Sequence, residues 1–326
     1  GDAGNGGGVV VEAGRTTSED GDGGNVVVTA GPSDHGKGGA VWLRSGLGSR
    51  DSGDVLMSTG DASMDGTSGK IAIATGNATN GTSGAFVVET GDSHLSSGGD
   101  ITFAVGTGDA GDGGHVRFSA GRTKAEAGDG GDVKLTAGEA DFGTGGNVVV
   151  SSGFGSSTSS GDVLVSTAGS GEDGVSGKIA LATGNTTNGT SGAFVVETGK
   201  AHQGAGGDIS LTSGTGDAGN GGGVVVTAGE TTADGSAGGV LAFTAGAGSS
   251  TAMEGGGKGG AVVINAGEAM GGHNVSDVGG DVVVTAGAAA SANGGGINLV
   301  SGKSAQTSSG DVSVATADAG AAGVSG

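Results

Sequence analysis

Apolar residues recur along this chain in short alternating runs spaced about fifteen residues apart. Aligned on Gly/Ser-Gly-x-h-x-h-x-small-Gly, where h is apolar, the chain contains twenty copies, and the second position is Gly in all of them. The fourth and sixth positions are apolar throughout, as in Val26 and Val28, and the eighth is small, as in Ala30. Apolar residues with a period of two indicate a β-strand with one face turned inward. Each repeat therefore predicts one short strand.

The segments between these runs have the composition of turns. The ninth position is Gly in every repeat except at Ala168 and Ala317, and a loop rich in Gly, Asp, Asn, Ser and Thr follows it. Such residues are typical of turns that need positive φ. A strand this short cannot bury a face alone, so evenly spaced copies favour stacking. We expect an all-β fold, a β-solenoid of about twenty single-strand repeats of about fifteen residues; whether two or three repeats form a coil stays open.

A longer period lies above the first. Residues 52–91 recur with few changes as residues 160–199, which is 108 residues or seven repeats later. The opening segment GDAGNGG also returns in closely similar form at Gly108 and Gly216. This indicates growth by duplication of seven-repeat blocks, with a less regular spacing after Gly229. We expect one continuous array over residues 1–326, a slice of a longer protein.

The fifth position of each repeat should face away from the side that carries the fourth and sixth. It is large and apolar in eleven of the twenty copies, which favours a face that is covered, as in sheets buried on both sides. We refer to these eleven residues as the outer face and expect it to be the assembly surface. It comprises Val10, Val27, Trp42, Leu56, Val87, Val149, Leu164, Val195, Val225, Val263 and Val283.

Composition and charge narrow the function classes. The 326 residues include 83 Gly, one Pro and no Cys, and the net charge is −21. That charge argues against nucleic acid and anionic membrane surfaces as partners, and the lack of Cys excludes disulfides and thiolate metal sites. No apolar run is long enough to insert into a membrane. We expect the chain to partner with itself, and glycans are a further candidate.

Asp-rich loops are candidate calcium sites, because carboxylate and carbonyl oxygens are the ligands that calcium prefers. The candidates are Asp109, Asp112, Asp129 and Asp132, with a further segment at 61–66. The loops lack the nonapeptide spacing of calcium-binding β-rolls. The favoured interpretation is that Asp forms turns and solubilises the chain, so no cofactor is expected and calcium stays an alternative.

Five Asn-x-Ser/Thr sequons are candidate sites for N-linked glycans. Four lie in the duplicated loops NATNGT and NTTNGT. The sequon residues are Asn77, Asn80, Asn185, Asn188 and Asn274.

No set of residues is organised for catalysis. The five His residues are scattered, with no i, i+4 pair among them, and the glycines followed by Lys lack the frame of a phosphate loop. A carbohydrate-active β-helix enzyme would need clustered acids and aromatic platforms, whereas the acids here are spread and Trp42 is the single Trp. We expect that the chain is not an enzyme.

Recurring four-residue segments give the chain a resemblance to known repeat proteins. SGDV occurs at residues 52, 160 and 309, and related GGDV, GGDI and SGKI segments lead into runs that end in TG, SG or AG. The pattern resembles the SGDV-type repeats of cell-surface and flagellar-hair (mastigoneme) proteins of heterokont algae. That resemblance implies an extracellular, glycosylated structural filament.

The leading hypothesis is thus a structural protein at the cell surface or outside the cell, which forms a fibre by stacking and lateral packing. The alternative is an adhesin stalk or binding module whose Asp-rich loops bind a ligand or calcium. A carbohydrate-active enzyme is the third.

Overall fold

A computed structural model describes residues 6–63, 66–252, 256–273, 277–320 and 323–325. Across these ranges the chain contains neither a helix nor a strand. The predicted all-β fold and the β-solenoid are therefore wrong. A strand is stable when its backbone pairs in a ladder and its apolar face is covered, and the runs of this chain achieve neither within the described residues.

The chain divides into two units, Gly1–Leu164 and Val165–Gly326. The division falls within an apolar run, between the fifth and sixth positions of one repeat. The first unit holds ten complete repeats and the second holds nine. The prediction of one continuous array over residues 1–326 is not addressed by this division and stays a prediction.

The apolar side chains that were expected to form the core remain in contact with solvent. The accessible surface is 32,140 Å² for a mass of 29.7 kDa, whereas scaling relations give about 12,000 Å² for a folded monomer of that mass and about 43,000 Å² for an unfolded chain. None of the described residues is buried. The inward placement predicted for the fourth and sixth positions is therefore wrong for the single chain.

An alternation of exposure nevertheless follows the sequence period. Val225, at a fifth position, is 88% exposed, and its neighbours Val224 and Val226 are 58% and 56% exposed. Leu56 stands in the same relation to Val55 and Met57. In these repeats the period-two pattern corresponds to which side chain projects furthest, whereas Val9 at 92% exceeds Val10 at 86%.

Consecutive repeats are joined at the base of the loop between them. In twelve loops the N–H of the second-position Gly donates to the C=O of the ninth-position Gly of the preceding repeat, over 2.8 to 3.1 Å. We call this the closing hydrogen bond. The donors are Gly24, Gly39, Gly53, Gly131, Gly146, Gly161, Gly222, Gly239, Gly260, Gly280, Gly295 and Gly310.

At some second positions two backbone segments meet too closely for a side chain. A Cβ atom at Gly131 would lie 3.2 Å from Gly121 N, and at Gly239 the corresponding distance to Gly229 N is 3.1 Å. These two distances are shorter than ordinary van der Waals contact, so a side chain there would push the closing pair apart.

The ninth position has no such requirement. A Cβ atom at Gly121 meets no atom within 4 Å, and none of the described ninth-position glycines has a positive φ. This explains why Ala is accommodated at Ala168 and Ala317. Positive φ occurs instead inside the loops, at Gly81, Gly111, Gly189, Gly235 and Gln203. The turn chemistry predicted from composition therefore lies within the loops rather than at their base.

Candidate functional site

The outer face is fully presented to solvent in this chain. Its eleven side chains are each between 69% and 88% exposed, with Trp42, Leu56, Leu164 and Val225 at 88%. The polar residues at other fifth positions, such as Thr102 and Ser210, are exposed as well. These side chains are thus not covered in the single chain, and the role of the outer face as an assembly surface stays a prediction.

One aromatic contact joins successive repeats. The rings of Phe103 and Phe118, both at sixth positions, meet edge to face with centroids 6.2 Å apart and planes at 84°. This geometry is favoured for aromatic pairs because the positive ring edge meets the negative ring face. The two runs therefore lie side by side at this point, although the loop between them lacks a closing hydrogen bond.

The eighth residue of a repeat determines whether the following loop is closed. Among the described residues, the closing hydrogen bond is present after every eighth-position Ala or Ser that a further repeat follows. It is missing from seven loops whose base residues are described, and in all of them the eighth residue is β-branched. Those residues are Thr59, Thr75, Thr90, Val105, Thr167, Thr183 and Thr198. We call these seven loops open.

Steric crowding accounts for part of the division. A Cβ atom at Gly114 would lie 2.7 Å from Val105 Cγ1, and one at Gly69 would lie 3.2 Å from Thr59 Cγ2. In four of the seven open loops the corresponding distance is 3.6 to 3.9 Å, which is ordinary van der Waals contact. Nine of the twelve eighth-position residues that precede closed loops are half-buried, including Ala30, Ser45 and Ala137.

Hydroxyl groups at the eighth position form a second kind of link. Thr167 Oγ1 and Thr198 Oγ1 each donate to the C=O of the following second-position Gly, at Gly177 and Gly207, over 3.1 Å. Ser213 Oγ donates to Gly222 O over 2.8 Å, and the loop after Ser213 also has its closing hydrogen bond. Ser therefore supports both links, while these two Thr residues form only the side-chain link.

The candidate calcium residues are exposed and spread out. Asp109 and Asp112 lie in one loop, and Asp129 and Asp132 lie in the next. Asp132 Oδ2 lies 3.2 Å from Lys134 Nζ, and both side chains are more than 70% exposed. Among the residues that the structure describes, no three His, Asp or Glu side chains come together as a metal site. Calcium binding stays a prediction that this geometry does not support.

Four of the five sequon residues lie in described loops, and Asn274 lies outside the described residues. Asn77, Asn80, Asn185 and Asn188 are exposed. The chain bends at residues 79–81 and again at 187–189, and Gly81 and Gly189 there have φ of 149° and 138°. Both sequon pairs occupy open loops, because Thr75 and Thr183 precede them.

The remaining sequence expectations concern catalysis and membranes. The described residues enclose no cavity, and the five His residues are exposed. No described helix is long and apolar enough to cross a membrane. That the chain is not an enzyme stays a prediction.

Sequence reasoning missed the structural role of the eighth residue. Its signal was nevertheless visible in the sequence. In each of the first two seven-repeat blocks the eighth position reads Ala, Ala, Ser and then Thr, Thr, Thr. A small residue is compatible with both an inward strand position and a close approach of loop backbone. Only the observed hydrogen bonds distinguish the two.

Known proteins add no further information about the site. No family model, curated protein or solved structure matches this chain. The assignment of function therefore rests on the residues and geometry described above.

Proposed function

We propose that this chain is a structural protein of an extracellular fibre, ordered by packing its apolar runs against other copies of itself. The observation that supports this proposal is the exposure of the outer face, which is 69% to 88% at all eleven side chains. Soluble proteins rarely expose so many large apolar side chains without a partner to cover them. The fibre envisaged here depends on contacts between chains and not on a solenoid within one chain.

A second copy is the partner that fits the spacing. The apolar runs recur about every fifteen residues through twenty repeats, and a surface with the same spacing is supplied by another copy of the chain. The outer-face residues Leu56 and Val87 recur 108 residues later as Leu164 and Val195, so two copies offset by one seven-repeat block would match at these positions. Another copy of the chain can thus be added with the same outer-face contacts at these positions.

Covering the outer face would contribute to association, because full burial of one Val or Leu side chain contributes about 1.5 to 3 kcal/mol.

The resemblance to heterokont surface and flagellar-hair proteins supports the same proposal, since those proteins are extracellular and filamentous. It rests on the SGDV, GGDV, GGDI and SGKI segments and on the Gly-rich period.

The proposal is tested by the concentration dependence of assembly. We expect the purified chain to form oligomers or fibres above a critical concentration, measured by light scattering and electron microscopy. Val87→Asp removes an apolar outer-face side chain and adds a charge, and it should raise that concentration at least about tenfold, because about 1.4 kcal/mol corresponds to a factor of ten.

Thr102→Asp is the matched control. It adds the same charge at the fifth position of the next repeat but removes no apolar side chain. We expect a much smaller effect from this variant. A chain that remains monomeric at millimolar concentration, or equal effects of the two variants, would refute the proposal.

A further inference from the structure

Two sequon loops combine exposure with a defined position of the acceptor residue. The loops run from Gly76 to Gly84 and from Gly184 to Gly192, and they are 108 residues apart. Asn80 and Asn188 are the central residues of these nine-residue spans, whereas Asn77 and Asn185 adjoin the base. All four side chains are exposed. The central residues are therefore the furthest from the flanking apolar runs along the chain.

The local backbone favours the same two residues. The chain changes direction at 79–81 and at 187–189, so Asn80 and Asn188 each lie at the middle of a bend. The residue after each is a Gly whose φ lies in a region that L side chains rarely adopt, at 149° and 138°. The active site of a transferase must bind the Asn and the Thr two residues later in one bent segment. A Gly between them permits that bend.

Loop closure does not restrict access to these residues. Both loops are open, with Thr75 and Thr183 at the eighth positions that precede them. The backbone at the loop base is consequently not held by the hydrogen bond that closes twelve other loops.

We propose that Asn80 and Asn188 each carry one N-linked oligosaccharide, and that Asn77 and Asn185 do not. The donor class is a polyprenyl-diphosphate oligosaccharide. A bond forms between Asn Nδ2 and the anomeric carbon, and the bond from that carbon to the diphosphate oxygen breaks. The diphosphate leaves with the electron pair, and the amide proton passes to a base of the transferase. One glycan per loop follows because acceptors three residues apart compete for the same space.

This inference rests on the proposed function, because such transferases act on chains that enter the secretory route. The test is secretion of the chain from a eukaryotic cell, followed by enzymatic release of N-glycans in ¹⁸O-labelled water and peptide mass spectrometry. Release converts a glycosylated Asn into heavy Asp. We expect the label at Asn80 and Asn188 and native Asn at positions 77 and 185.

Three controls make the result specific. Asn220 lies in the loop GDAGNGG and is also followed by Gly, but the residue two positions later is Gly222, so Asn220 should remain unlabelled. A sample without the releasing enzyme measures spontaneous deamidation at Asn-Gly. Asn80→Gln should remove one glycan from the intact mass, and Asn77→Gln should remove none.

Bare Asn80 and Asn188 in a secreted chain, or label at Asn77 and Asn185 in their place, would overturn the inference. The fibre proposal is tested separately with unmodified chain made in bacteria. Assembly of that material with no glycans on the secreted chain refutes this inference alone, whereas glycans without assembly refute the fibre proposal alone.

Discussion

Exchange of one eighth-position residue should open or close a loop, and the chain contains a natural pair that isolates the effect. The loops 106–114 and 214–222 differ only at Asp112 and Asn220. Val105 precedes the first, which is open, and Ser213 precedes the second, which is closed with Gly222 N 3.0 Å from Gly214 O. Val105→Ser should therefore close the first loop, because it removes the γ-methyl group that crowds Gly114.

The expected magnitude follows from the two hydrogen bonds gained. Ser213 donates to Gly222 O while the backbone of Gly222 closes the loop. A net contribution of about 0.5 to 1.5 kcal/mol is typical of one such bond, and solvent exposure favours the lower end for both. The two bonds together would then contribute about 1 kcal/mol, which would slow amide exchange at Gly114 about fivefold.

The assay is amide hydrogen exchange of the dilute, monomeric chain, followed by NMR. Val105→Ser should slow exchange at Gly114, and Ser213→Val should accelerate it at Gly222 by a similar factor. Ser213→Ala should retain the closing hydrogen bond, since Ala precedes many closed loops. Asp112→Asn is the control for the one difference within the loops. If Asp112→Asn reproduces the effect and Val105→Ser does not, the steric explanation is refuted.

Two further predictions concern glycine and charge. Gly131→Ala should accelerate exchange of the residue 131 amide about fivefold, because its Cβ would push the closing pair apart and about 1 kcal/mol of hydrogen bonding would be lost. Gly121→Ala should retain the bond, since its Cβ meets open space; equal effects of the two changes would contradict this explanation. Raising NaCl from 0.01 to 0.15 M should lower the critical concentration of assembly, measured by light scattering, because a net charge of −21 repels other copies over a Debye length that falls from about 30 to about 8 Å. A rise of the critical concentration with NaCl would contradict the repulsion argument. If CaCl₂ lowers the critical concentration more than MgCl₂ does at the same ionic strength, the calcium alternative is supported.

Only part of the candidate sites could be predicted from the residues. The sequons were visible as motifs, and four of them lie in exposed loops as their composition suggests. Which Asn lies at the loop centre was also countable from sequence. That Gly81 and Gly189 adopt positive φ, and that both loops are open, required the structure.

The calcium candidates show the opposite case. Asp109, Asp112, Asp129 and Asp132 are close in sequence, yet the described residues bring no three ligating side chains together. Composition reports how many carboxylates a loop contains, but coordination depends on their convergence. Convergence is a property of the fold that a loop sequence of this kind does not specify.

The sequence by itself determined the repeat and the seven-repeat block. In some runs it also determined the order of exposure, because side-chain alternation is local, and Val225 accordingly projects further than Val224. The closing distances at Gly131 and Gly239, which only the structure shows, supply a reason for Gly at those two positions.

Only the tertiary structure decided whether the runs pair and become buried. The β-solenoid was wrong because an alternating pattern states which side of a strand is apolar and does not state what covers it. Pairing and burial are non-local, since they depend on the free energy of bringing distant segments together. Residues such as Trp42 and Leu164 therefore remain exposed in the single chain. The structure also decided which loops close, because the closing hydrogen bond joins two glycines on opposite sides of a loop.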